Sequence, residues 1–193
     1  MTEKPGPWIQ TFTGARHDLL NPDPWDIRIA DIAHALSLIC RFTGHLRAHY
    51  SVAQHSVNVA RVLRSMGYDS GIQAQGLMHD AHEAYTGDVA SPIKEVLRHL
   101  ALDAGPSAVE PWDDFESRHE SAVRTRFGIA QTLHPAVKRA DLIMLVTEHR
   151  DLMGPAPAPW MVGHTPETWK IVPWTAQDAA RNFLDEVERL DIR

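Results

Sequence analysis

Gly71-Ile72-Gln73-Ala74-Gln75-Gly76-Leu77-Met78-His79-Asp80-Ala81-His82-Glu83-Ala84-Tyr85 is the stretch on which the reading turns. It reads as one helix over about 71–85 that stops near Gly87. His79 and Glu83 stand four residues apart and so share a face, while Asp80 is rotated by about 100° and reaches the same point from the flank. One helical turn therefore offers an imidazole and two carboxylates to a common site. An ionised Asp80 beside Leu77 and Met78 inside a bundle needs a counter-charge, and imidazole with carboxylate ligands suits a divalent transition metal.

Working outward, the texture on both sides is helical. Upstream, apolar residues at 32, 35, 36 and 39 share a face of a segment that Asp31 is positioned to cap, running through Arg41 and ending at Gly44. A second helix over about 52–66 carries Val52, Val59, Leu63 and Met66 on one side, with Gly67 after it. Downstream, Ser91-Pro92 opens a short helix over 93–100, residues 101–111 connect, and helices follow over about 112–127 and 135–153. Thr175, with Asp178 three residues on, begins a last helix through Asp191 in the manner of a capping box.

Two stretches escape this pattern. Residues 1–30, with Pro5, Pro7, Pro22 and Pro24, read as an extended, turn-rich arm with no β-hairpin signal. Residues 154–174 hold five prolines and three tryptophans, a composition expected of a loop packed over the surface; Trp160, Trp169 and Trp174 could cover a site, with packing or a subunit contact the favoured expectation. The expectation is an all-α, single-domain bundle of about seven helices, the arm over 1–30 and the domain over 31–193.

The chain has 193 residues, enough for one domain with a sizeable core. Its formal net charge is −6 and no basic run occurs, which argues against a nucleic-acid polymer as partner. Cys40 is the single cysteine, so no internal disulfide can form. No apolar stretch approaches the roughly 20 residues that span a bilayer, and residues 1–10 lack a signal pattern. A cytoplasmic protein without membrane attachment, and a homo-oligomer, is expected.

The twelve histidines are the compositional excess. Most of them, including His17, His45, His49, His119, His134, His149 and His164, have no spacing that argues for a second metal. His82 and His99 point away from the metal face by helical phase and are expected at the surface, and His34 in the core. His55 on the second helix and Asp141 on the penultimate one are different, because each places a polar group among apolar neighbours. A carboxylate at 141 is costly there unless paired.

Histidine on one helix, His-Asp on the next and a distant aspartate on a later helix is the motif order of the HD-domain phosphohydrolases, filled here by His55, His79-Asp80 and Asp141. The run from Met78 to Lys94 resembles the corresponding stretch of bacterial 5′-deoxynucleotidases; Val137-Lys138-Arg139-Ala140-Asp141 is similar to their metal-binding aspartate segment, and Ser51-Val52-Ala53-Gln54-His55-Ser56 to their first histidine. The chain also resembles the phage dATP triphosphohydrolases of the same subfamily. The similarity covers roughly residues 30–151.

The resemblance implies one divalent ion (Mn, Co, Mg, Zn or Fe) held by His55, His79, Asp80 and Asp141, and a small-molecule nucleotide as substrate. Arg41-Phe42 fall where those enzymes have an Arg-Trp pair that contacts phosphate and deoxyribose, Phe42 standing in place of the tryptophan. Arg41 and Lys94 would spread positive charge over the phosphoryl oxygens. Glu83 would pass a proton to the departing sugar oxygen, and Asp88 would orient the water or the sugar. The expected activity is removal of the 5′-phosphate, or triphosphate, from deoxynucleotides. The competing readings are a phosphodiesterase on a cyclic or hyperphosphorylated nucleotide, and a nucleotide-binding regulatory subunit without turnover.

Overall fold

The computed structural model describes residues 6–103, 111–160 and 162–193. Its first element corrects the strand-free arm. β1 (Trp8–Gln10) and β2 (Arg16–Asp18) form an antiparallel hairpin, with Trp8 opposite Asp18 and Ile9 opposite His17. Gly14 takes φ +81° in the connection, where the Gly14 N–H donates to the Thr11 carbonyl. Strands of three residues are too short to show a period of two, so the hairpin leaves no alternation to read.

Eight helices follow among the described residues: α1 (Ile29–Leu38), α2 (Val52–Ser65), α3 (Ser70–Met78), the single turn α4 (Glu83–Thr86), α5 (Ser91–Asp103), α6 (Pro111–Arg126), α7 (Pro135–Leu152) and α8 (Ala176–Arg189). The domain is all-α apart from the hairpin. Among the described residues no helix is long and apolar enough to cross a membrane. Local chemistry explains most of the boundaries. Ser51 accepts from the Gln54 N–H at the start of α2, Asp69 from the Ile72 N–H at the start of α3, and Thr175 from the Asp178 N–H at the start of α8.

Four sequence expectations about boundaries are corrected. Asp31 lies inside α1, buried, and accepts from the Thr13 N–H at 2.7 Å and the Thr13 hydroxyl at 3.0 Å, so it ties the hairpin to the bundle. α1 ends at Leu38, short of Arg41, because the next residues leave the helix to pair with the entry of α2: the Arg41 N–H donates to Tyr50 O, and the Val52 N–H to Ile39 O. α3 ends at Met78, so His79, Asp80 and Glu83 are not carried on one unbroken helix. Residues 79–82 form tighter turns whose N–H groups reach back three residues, from Ala81 to Met78 O and from Glu83 to Asp80 O. α5 runs three residues past the expected end, and residues 104–110 of the connector lie outside the described residues.

α2 is the centre of the bundle and packs against α1, α3, α7 and α8. Val52, Ala53 and Ala60 face one cluster, with α1, α3, α4, α6 and α8; Val59, Val62 and Leu63 face a second, with α7. The first turns of α2 are covered on both sides, which is why His55 has no exposed surface; Arg61 and Arg64 reach the surface only toward its end. Gly76 lets α3 approach closely, since a Cβ there would stand 2.3 Å from Leu63 Cδ1. The proline- and tryptophan-rich stretch is pinned to the bundle: Gln54 donates to Val172 O and accepts from the Trp174 N–H, while Arg150 donates to the carbonyls of Glu167 and Trp169.

Candidate functional site

The backbone bridge between Cys40 and Ser51 sets Arg41 against the first turn of α2, where His55 lies. The turn after α3 brings His79 and Asp80 to the same place, and α7 contributes Asp141. His55 Nε2 lies 3.4 Å from Asp141 Oδ1 and 3.6 Å from Asp80 Oδ2; His79 Nε2 lies 3.1 Å from the same Asp80 oxygen. Among the described residues, His55, His79 and Asp141 each offer a ligand atom with all three inside 4.8 Å of one another. The four predicted metal residues are thus brought together.

The other nitrogen of each ring decides what those atoms can do. His79 Nδ1 lies 2.8 Å from the Gly76 carbonyl, which can only accept, so Nδ1 carries the hydrogen and Nε2 keeps its lone pair. His55 Nδ1 stands 2.6 Å from Glu148 Oε1. Both Nε2 atoms are buried and have no hydrogen-bond partner. Two orphaned imidazole nitrogens facing two carboxylates, each with its far side engaged, fit a divalent cation.

Glu148 was not singled out by sequence reading. It lies seven residues after Asp141 on the same side of α7, is fully buried, and also accepts from Arg41 Nε at 3.2 Å. Arg41 in turn has its NH1 3.6 Å from Asp80 Oδ2. Burial resists the charge of Glu148, but Arg41 and His55 hold its carboxyl below the usual range. Burial and Arg41 likewise work against a charged His55, yet Glu148 and Asp141 outweigh them and push it up to about 9. Asp80 is held well below the usual carboxylate range against its burial, chiefly by His79, and Asp141 below it by His55. Within the protein the carboxylates of Asp80, Asp141 and Glu148 are met by Arg41, His55 and Lys138, a part that a divalent cation could share.

Asp80 and Asp141 of the cluster line a cavity of about 720 Å³, a size suited to a small ligand, with the Nε2 atoms of His55 and His79 buried behind them. Arg41, Phe42, Glu83, Asp88 and Lys94, the remaining predicted site residues, all line it. Glu83 is buried, with Oε2 unpartnered, and burial followed by Asp80 and Asp88 pushes its carboxyl well above the ordinary value. Burial also raises Asp88, against the pull of Arg41. Lys94 is not a solvated cation: its Nζ lies 2.5 Å from Glu116 Oε1 at the cavity wall. Phe42 and Thr43 adopt φ +56° and +54°, a left-handed conformation uncommon for bulky side chains, where the chain turns into the cavity.

Three further expectations change. His82 is buried, its Nε2 3.4 Å from Glu116, because the broken helix turns it inward under α6. Lys138 also lines the cavity, with Nζ 2.8 Å from Asp141 Oδ2. Trp160, assigned to packing or a subunit contact, belongs to the cavity wall as well.

Fold and site together define an all-α bundle with a histidine and carboxylate cluster beneath an open cavity. No family model matches the chain. It is 39% identical over 147 residues to the uncharacterized protein YfdR of Escherichia coli (strain K12), covering 75% of this chain and 72% of that one, and it belongs to the same family as YfdR. An uncharacterized protein of Rhodobacter capsulatus is 35% identical over 137 residues, or 69% of this chain; the match spans 64% of that relative, under two thirds of its length.

Proposed function

We propose that the protein is a metal-dependent phosphohydrolase that removes the 5′-phosphate, or triphosphate, from deoxynucleotides. The observation that carries this reading is the pair of buried Nε2 atoms on His55 and His79, turned toward Asp80 and Asp141 at the floor of a cavity that also presents Arg41 and Lys94. His55, His79, Asp80 and Asp141 would hold the ion. When bound, a divalent cation supplies acidity to water and offsets phosphate charge.

The residues of the chain do the rest. Glu148 fixes the His55 ring and anchors the inner edge of Arg41, while the outer guanidinium nitrogens, one of them 3.6 Å from Asp80, face the place where phosphoryl oxygens would sit. Lys94 adds a second positive group on the wall. Water oxygen bonds to phosphorus as the bond from phosphorus to the sugar oxygen breaks. Glu83, protonated and facing the cavity, gives its proton to that leaving oxygen and is restored by the proton lost from water; Asp88 orients the water or the sugar. Phe42 forms the sugar wall, and an apolar wall rejects an added 2′-hydroxyl only by roughly a hundredfold.

The test is incubation of the purified protein with Mn²⁺ or Co²⁺ and a panel of deoxynucleoside and nucleoside mono- and triphosphates, with chromatographic identification of products. Nucleoside plus phosphate or triphosphate, with deoxyribose preferred, is expected. No release from any member of the panel overturns the reading.

A further inference from the structure

We propose that Trp160 is the nucleobase platform of this cavity, an inference that rests on the nucleotide reading of the site. The indole is fixed in place before any ligand arrives. The His149 ring on α7 stacks on it at 4.2 Å between centroids and 20° between planes. Phe42 lies 6.2 Å from it on the cavity wall, tilted by 41°. A rigid aromatic surface with its plane set by a neighbour binds a flat π-system with little loss of side-chain freedom.

The order of groups along the wall matches the order of groups in the ligand. Arg41, the phosphate holder, has its guanidinium carbon 5.4 Å from the Phe42 ring, and Phe42 is followed by Trp160. A nucleotide likewise runs from phosphate through sugar to base. Trp160 remains 38% exposed, so it is not used up in the core. Met153 and Leu145 add apolar lining from α7 and its end. Farther along the same loop, Arg150 and Gln54 hold the carbonyls of Trp169 and Val172.

Stacking of a base on an aromatic ring is worth about 1–3 kcal/mol by alanine substitution, or roughly five- to a hundredfold in affinity. The probe is 2′-deoxyadenosine, which carries a base and sugar but no phosphate to hydrolyse. Calorimetric titration of the metal-loaded protein should show Trp160→Ala weakening deoxyadenosine binding at least tenfold, while Trp160→Phe stays within about threefold of wild type. Equal affinity in wild type and Trp160→Ala, or no binding to wild type, overturns the platform. The phosphate-release panel separates this from the function itself. Release with Trp160-independent binding removes only the platform, and Trp160-dependent binding without release removes only the hydrolase reading.

Discussion

Glu148 shows how one carboxylate can organise a site without touching substrate. Its two oxygens engage His55 Nδ1 and Arg41 Nε, so one buried charge sets the His55 ring and the Arg41 guanidinium together. Glu148→Gln keeps the volume and removes the charge that both partners need. Metal affinity should fall by about 10–100-fold, as for other groups behind a ligating histidine. Elemental analysis after dialysis against graded chelator checks this, and unchanged metal retention would exclude it. Glu83 should behave in the opposite way. It is buried at the cavity edge with Oε2 unpartnered, and it is not one of the four residues proposed to hold the metal. Glu83→Gln should retain metal and lower kcat by at least tenfold, within the range of about 10²–10⁴ that general acid catalysis contributes. Steady-state kinetics on the best phosphate ester of the panel, paired with metal analysis, decides between a proton donor and a ligand.

At the scale of elements, the contact of α2 with α3 is what places His79 near His55. Gly76 makes it possible. An added Cβ would meet Leu63 Cδ1 at 2.3 Å and Val59 Cγ1 at 3.3 Å, so the helices would have to separate or Leu63 leave its rotamer. Overpacking of this kind costs about 1–3 kcal/mol, opposed by about 1 kcal/mol from the better helix propensity of alanine. Gly76→Ala should therefore lower the denaturant midpoint by a small margin and weaken metal binding more than Ala74→Gly, which removes a side chain from the same helix without pushing α3 away. The single turn α4 depends on the same arrangement, since the tight turns over 79–82 swing Glu83 back toward the cavity.

The hairpin closes one side of the whole molecule through a buried histidine. His17 on β2 stacks on Tyr85 of α4 at 4.0 Å and lies 5.2 Å from His119 of α6, with both its ring nitrogens lacking a partner. Burial, then the nearby His119, pushes it down to about 4, with Asp18 pulling the other way; His119 is lowered too, first by burial. Unfolded histidine titrates near 6.5. Between those values the unfolded chain holds a proton that folded His17 does not, so the stability present above about pH 6.5 declines as the pH falls toward 4. Denaturant midpoints of wild type and His17→Phe, which keeps the stack but cannot titrate, measured at pH 7.5, 6.0 and 5.0 should diverge in slope: the wild type loses more stability relative to the variant as the pH falls, because His55, raised to about 9, acts alike in both. A slope identical to wild type would remove His17 as its source.

Much of this protein was legible from residue order alone. Caps at Ser51 and Thr175, proline at the start of α7 and apolar periodicity are local, so the helices they define follow from the chain within a few residues. The nine predicted site residues were legible for a related reason: polar and charged groups among apolar neighbours need a partner, and their order along the chain resembles a known motif. What depended on distant contacts was not. The short strands are held to the bundle by Asp31, which binds Thr13, and by His17, which stacks on Tyr85. The helix through 71–85 breaks because its last turn folds under α6, which carries His82 inward to Glu116. Glu148 and Trp160 gain their places through partners on other elements, His55 and Arg41 for one and the cavity wall for the other. Local sequence determined which segments coil and which residues want company; the packing of α2 between two cores determined who that company is, because burial on both sides leaves a polar group only the partners that other helices bring.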